Sequence, residues 1–152
     1  MVRLLVALWT GGLAVQAPDS AMRVRSATVL RALNDSLSAV DAAAEQFQTD
    51  LDNASRDLVI SRAARLTKRC AGARVAALSL DTVLAVQAPL RRDLATLRAE
   101  LTRCQANFAT DRWYERADSV KAWAPYRLAK LGDAVRRYRI AARAFMRQTH
   151  ID

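Results

Sequence analysis

The chain has 152 residues, enough for one domain with a hydrophobic core. Hydrophobic residues make up 52% of it, which excludes a disordered chain despite the formal net charge of +9. Only four glycines and three prolines occur, and Ala, Leu and Arg dominate the rest, a composition typical of helices. Because no sustained apolar–polar alternation indicates strands, we expect an all-α protein.

The N-terminus has the pattern of a secretory signal peptide. A short basic start at residues 1–3 precedes the apolar run 4–9, and small residues follow. This run is too short to span a membrane, which needs about 20 apolar residues. The sequence predicts a signal peptide over residues 1–17, cleaved after Ala14 or Ala17, and a single helical domain over residues 18–152. The alternative interpretation is a short apolar helix at the start of a cytosolic protein.

Four heptad-like series follow, in which apolar residues recur at spacings of three and four, with strict alternation in the first. This spacing indicates helices that each pack along one seam. The first series slips into the second near residues 50–55, a stretch that can cap a new helix, although the helix can also run through it. Residues 110–112 resemble an N-cap region. Pro125 should kink or interrupt the last helix. The series are Leu30, Leu33, Leu37, Val40, Ala44, Phe47, Leu51, Ala54 and Leu58; Val59, Ala63, Leu66, Cys70, Ala73, Ala77, Leu80 and Leu84; Leu90, Leu94, Leu97, Leu101, Cys104 and Phe108; and Ala117, Val120, Ala124, Leu128, Leu131, Val135, Tyr138, Ala142 and Phe145.

A proline marks the centre of this pattern. Pro89 is suited to the first turn of a helix, which predicts a turn near residues 86–89. When the chain is folded there, the second and third series align antiparallel and Cys70 lies opposite Cys104. The first and last series align in almost the same register, with Val40 opposite Val135. The pattern therefore predicts antiparallel long helices.

This register predicts a disulfide between Cys70 and Cys104. A disulfide requires Cα atoms within about 7 Å, and the small residues Gly72, Ala73 and Ala77 would let the two helices approach that closely. An even number of cysteines fits an oxidising compartment. The alternative is a pair of buried free thiols that act as small core residues.

The sequence allows two arrangements of the hairpin. Its arms can stay extended, each about 90 Å long. They can instead break near residues 52 and 110 and fold back into a four-helix bundle, which we favour because apolar residues beside the seam supply a second contact face. These residues are Val29, Ala39, Ala43, Trp113, Trp123, Tyr126 and Ile140.

Basic residues concentrate in the C-terminal part, since residues 89–152 carry a net charge of +7 and residues 1–88 only +2. One helical stripe beside the last seam is a predicted anion-binding site, for lipid headgroups, an acidic polysaccharide or nucleic acid. The alternative is a solvated flank, or a partner for the acidic stretch 35–57 of the first helix. A second basic run, residues 62–74, has the same two interpretations. The stripe consists of Arg136, Arg139, Arg143 and Arg147.

The residues that most enzyme mechanisms need are missing. His150 is the only histidine, which excludes the usual Ser–His and Cys–His nucleophile pairs. Two seam cysteines and one histidine do not make a zinc site, and four scattered glycines make no phosphate-binding loop. We therefore predict a protein that is not an enzyme, with no catalytic residues, no metal site and no cofactor.

The leading hypothesis is an exported, extracytoplasmic (periplasmic or secreted) binding or structural module. It is stapled by the disulfide and contacts a protein or an anionic surface through the arginine stripe. The alternative is a cytosolic, basic, helical protein that binds nucleic acid. Homodimerisation through an exposed heptad seam fits either hypothesis.

Overall fold

A computed structural model describes residues 20–52, 55–83, 88–109 and 113–151, and for residues 20, 22, 81–83, 88, 89 and 113–118 it describes the backbone alone. These residues form four helices: α1 (Ser20–Leu51), α2 (Arg56–Val83), α3 (Ala88–Asn107) and α4 (Trp113–Thr149). None of the described residues lies in a strand, so the all-α prediction is confirmed. The predicted signal peptide at residues 1–17 falls outside the described residues.

The helices form an antiparallel four-helix bundle. Each helix packs against the next one along the chain, and α1 also packs against α4, which closes the bundle. Short connections make consecutive helices antiparallel. The packing of α1 on α2 confirms the bundle over the extended hairpin, in which these two helices would not meet. The α1–α2 pair is the most closely packed of the four and α1–α4 the most open.

The predicted helix boundaries at the first two turns are confirmed. Ser55 caps α2, because its Oγ accepts a hydrogen bond from the backbone N–H of Leu58 (3.4 Å) and its carbonyl oxygen accepts one from Val59 (3.1 Å). Pro89 lies in the first turn of α3, so the turn falls between α2 and α3 as predicted. The predicted N-cap region at residues 110–112 lies outside the described residues.

Of the two predicted effects of Pro125, interruption of the last helix is wrong, since α4 is a single helix with Pro125 inside it, while a kink stays a prediction. Pro125 has no N–H, so the carbonyl of Lys121 loses its intrahelical hydrogen bond. Both side chains are exposed, which leaves this carbonyl on the solvent side where water can hydrate it. Packed heptad residues on both sides of Pro125 hold the helix together.

The core consists of the four seams. Of the seam residues whose side chains are described, Ala44 and Val59 are half-buried, Leu58 is 38% exposed because it lies in the first turn of α2, and the others are buried. The second contact face is confirmed for Ala43, which is buried. The prediction that Tyr126 and Ile140 belong to this face is wrong, because they are 59% and 63% exposed.

Cys70 and Cys104 form the predicted disulfide between α2 and α3, with their Cα atoms 6.2 Å apart. Both residues are buried, as are Ala73 and Ala77 beside them. Gly72 does not contribute to this close approach, contrary to the prediction. It is exposed, and a Cβ atom added to it would have no neighbour within 4 Å. The alanines alone supply the small surface.

We expect the double substitution Cys70→Ala/Cys104→Ala to lower the free energy of unfolding by about 3–4 kcal/mol. The cysteines are 34 residues apart, and opening a loop of that length restores chain entropy to the unfolded state. Urea denaturation of both proteins measures the change. Equal stability would contradict the disulfide as a stabilising link.

We expect Gly72→Ala to raise the free energy of unfolding by about 0.5–1 kcal/mol, because alanine loses less backbone entropy in a helix and the added methyl meets no atom. Gly132→Ala in α4 is the matched case, since Gly132 is equally open. Urea denaturation measures both. A loss of stability in Gly72→Ala would place this residue in a packed contact and contradict the account.

The arginine stripe and the α1–α4 groove

The predicted arginine stripe runs along α4 and reaches α1 at Arg139. Arg139 contacts α1 directly: its Nη1 donates to Asp41 Oδ2 at 2.7 Å and its Nη2 to Ser38 Oγ at 3.2 Å. The expected pairing of the basic last helix with the acidic first helix therefore holds for this residue. Both side chains of the ion pair are partly exposed, and such pairs contribute at most about 1 kcal/mol. The ion pair shows which residues of α1 and α4 lie opposite each other, but it contributes little to the stability of the fold.

The other three arginines of the stripe are exposed. Arg136 forms an ion pair with Asp133, one turn earlier on the same helix. Arg143 and Arg147 form no ion pair with any residue in the described part of the chain. Two cations of the stripe therefore have no acidic partner among the described residues, and anion binding by the stripe stays a prediction.

The second basic run, on α2, is also partly engaged. Arg62 Nε donates to Asp50 Oδ2 at 2.8 Å, which links α2 to α1. Arg74 donates to Gln105 Oε1 at 3.1 Å, which links α2 to α3. Its remaining members are exposed on α2: Arg65, Lys68 and Arg69.

A groove of about 230 Å³ runs between α1 and α4, the most open helix pair. Its lining combines apolar side chains with several cationic ones and a single acidic one. The lining residues are Leu30, Arg31, Asn34 and Asp35 from α1 and Tyr138, Arg139, Ala142, Arg143 and Met146 from α4. The groove therefore has an apolar part and a predominantly cationic part.

Tyr138 is the unusual member of this lining. It is 2% exposed, and its hydroxyl group has no hydrogen-bond partner among the described residues. An unpaired buried hydroxyl costs roughly 1–3 kcal/mol, so most buried polar groups are paired. Burial raises the pKa of the phenol above its usual value, because the charged form is poorly solvated there. The hydroxyl therefore stays neutral at physiological pH and remains a hydrogen-bond donor.

Sequence reasoning placed Tyr138 correctly on the buried seam but missed its hydroxyl. The heptad pattern counts tyrosine as an apolar residue, which describes the ring alone. A tyrosine on a seam otherwise formed by alanine, leucine, valine and phenylalanine is the signal that could have found it. Among the described residues no three His, Cys, Asp or Glu side chains lie close enough to hold a metal ion. His150 is exposed just beyond the end of α4.

Comparison with known proteins adds no relative from which a function could be transferred. The chain matches no protein-family model, and no curated protein or solved structure matches it. No helix in the described part of the chain is long and apolar enough to cross a membrane.

We expect Tyr138→Phe to raise the free energy of unfolding by about 1 kcal/mol, because it keeps the buried ring and removes the unpaired hydroxyl. Tyr126→Phe is the matched control and should leave the stability unchanged, since Tyr126 is exposed. Urea denaturation measures both variants. A clear loss of stability in Tyr138→Phe would show that the hydroxyl has a partner inside the fold, such as a buried water molecule.

Proposed function

We propose that the chain is an exported, disulfide-stapled helical module without catalytic activity that binds an anionic partner through α4. The observation that carries the proposal is the buried Cys70–Cys104 disulfide between α2 and α3. Structural disulfides form and persist in oxidising compartments and are rare in the cytosol. The signal-peptide pattern of residues 1–17 points to the same compartments.

The exposed side of α4 supplies the binding surface of the proposal. Arg136, Arg143 and Arg147 lie there, and Ile140 is an exposed apolar residue among them. Cations arranged around an apolar side chain suit the surface of an anionic membrane, where headgroups attract the arginines and the acyl boundary accepts the isoleucine. We therefore take an anionic lipid surface as the partner.

Export and the disulfide are tested by the intact mass of the protein from its own cells, alkylated without prior reduction. We expect a mass that lacks the first 14 or 17 residues and carries no alkyl group, because both sulfur atoms are in the disulfide. A full-length mass with two alkyl groups would contradict export and the disulfide together. The cytosolic nucleic-acid hypothesis would then become the leading one.

The binding surface is tested by sedimentation with vesicles of phosphatidylglycerol and phosphatidylcholine. We expect Arg136→Gln/Arg147→Gln to weaken vesicle binding roughly tenfold or more, because each cation at an anionic surface contributes about 1 kcal/mol. The matched control is Arg65→Gln/Lys68→Gln, which removes the same charge from the exposed side of α2.

The control should retain most of its vesicle binding. An equal loss in both variants would show that binding follows the net charge of the protein and would contradict a specific surface on α4. Absence of vesicle binding, together with salt-sensitive DNA binding that persists at physiological ionic strength, would favour the nucleic-acid hypothesis instead.

A further inference from the structure

We propose that the groove between α1 and α4 is a binding site for a small amphipathic anion, a carboxylate that carries a short apolar tail. The inference goes beyond the proposed function, because it assigns a second site and a class of small ligand to the protein. It depends on three observations: an apolar–cationic groove, and an arginine and a buried hydroxyl that have no partner among the described residues.

The cationic part of the groove determines the charge of the ligand. Arg143 lines the groove and has no ion-pair or hydrogen-bond partner among the described residues. Arg139 lines it too, but its guanidinium is engaged by Asp41 and Ser38. Asp35 is the single acidic residue of the lining and lowers the local positive charge. Because Arg143 offers one guanidinium to a ligand, the groove suits a monoanion better than a dianionic phosphate.

Tyr138 can supply a second hydrogen-bond donor at the groove, in addition to Arg143. Its hydroxyl group is buried and has no hydrogen-bond partner in the described part of the chain, although the residue lines the groove. A neutral phenol donates to a carboxylate oxygen without charge repulsion, and Arg143, which lines the same groove, would donate to the same group. A bound carboxylate would therefore satisfy a hydroxyl that the fold leaves unpaired.

The apolar part of the groove determines the size of the tail. Leu30, Ala142 and Met146 line this part. The volume of about 230 Å³ lies just below the usual range for ligand sites, about 300–1,000 Å³, which limits the ligand to a short chain. α1 and α4 form the most open of the neighbouring helix pairs, which leaves room for this groove between them.

Octanoate is the probe for this site. Calorimetric titration of the full disulfide-bonded protein should show saturable binding of one octanoate per chain. 1-Octanol, which lacks the charge, and inorganic phosphate, which lacks the tail, should each bind at least about tenfold more weakly if both parts of the groove contribute. Binding of 1-octanol or phosphate as tight as that of octanoate would overturn the proposal, as would the absence of saturable octanoate binding.

Three variants locate the site. Arg143→Gln should weaken octanoate binding about tenfold, and Tyr138→Phe about fivefold, through the loss of one hydrogen bond each. Arg137→Gln is the matched control, because Arg137 is exposed on the same helix but does not line the groove, and its affinity should be unchanged. Equal affinity of Tyr138→Phe and the original protein would overturn the proposal. So would an equal loss in Arg137→Gln and Arg143→Gln.

The same variants separate this inference from the proposed function. Tyr138→Phe should leave binding to the anionic vesicles unchanged, because Tyr138 is buried and does not belong to the outer surface of α4. Vesicle binding without octanoate binding would overturn the groove site and leave the proposed function standing. Loss of vesicle binding in Tyr138→Phe would show that vesicles and octanoate use the same site. It would overturn the proposal of a separate site in the groove.

Discussion

The structure depends on the burial of one apolar stripe on each of four antiparallel helices. Each stripe repeats at spacings of three and four residues, so it stays on one side of its helix along the whole length. Burying all four stripes around one axis fixes which face each helix turns toward its neighbours, since rotating a helix by one residue, about 100°, would carry leucines to the surface. The disulfide, the α1–α4 ion pair and the groove all follow from that arrangement.

Side-chain size along the stripes explains why the helix pairs differ in closeness. Alanines on α1, among them Ala39 and Ala43, face the neighbouring α2, and small contact residues let helix axes approach. The seam of α4 carries larger buried residues, Tyr138 and Phe145, and Tyr138 lines the groove between α4 and α1. The α1–α4 pair is consequently the most open one, and the groove forms there. The proposed ligand site would then result from the unequal packing of the helix pairs.

The ion pairs between the helices follow the same arrangement of the four helices. Two acidic residues of α1 pair with arginines on its two neighbours, Asp41 with α4 and Asp50 with α2. The acidic stretch of α1 thus takes up part of the basic surplus of the protein. Arg143 and Arg147 on α4 lie beyond this compensation and remain without an acidic partner in the described part of the chain. The anionic partner of the proposed function would bind the positive charge of these two arginines.

Much of the fold could be predicted from the sequence, because heptad spacing determines which face of a helix is buried. The turn before Pro89 and the Cys70–Cys104 pairing followed from that spacing and were confirmed. Errors arose where local chemistry competed with tertiary packing. Pro125 breaks isolated helices, but here packed residues on both sides hold α4 continuous. Ile140 looked like a contact residue from its apolarity alone, although its direction on α4 is toward solvent.

The candidate site could be predicted only in part. The arginine stripe is visible in the spacing of the sequence, but its engagement by Asp41 depends on which helix lies beside α4. The unpaired hydroxyl of Tyr138 was beyond sequence reasoning for a different reason. Whether a buried polar atom finds a partner depends on distances of a few tenths of an ångström between helices, which no spacing pattern contains.

The account depends most directly on α1 folding back against α2, and one distance tests it. Spin labels at Ala32 and Ser79, both exposed, lie at nearly the same level of the bundle by the register of the Asp50–Arg62 pair. With helix axes about 8–10 Å apart, electron–electron double resonance should give a distance of about 20 Å between the labels. A distance of about 70 Å would show one extended arm instead and would contradict the bundle.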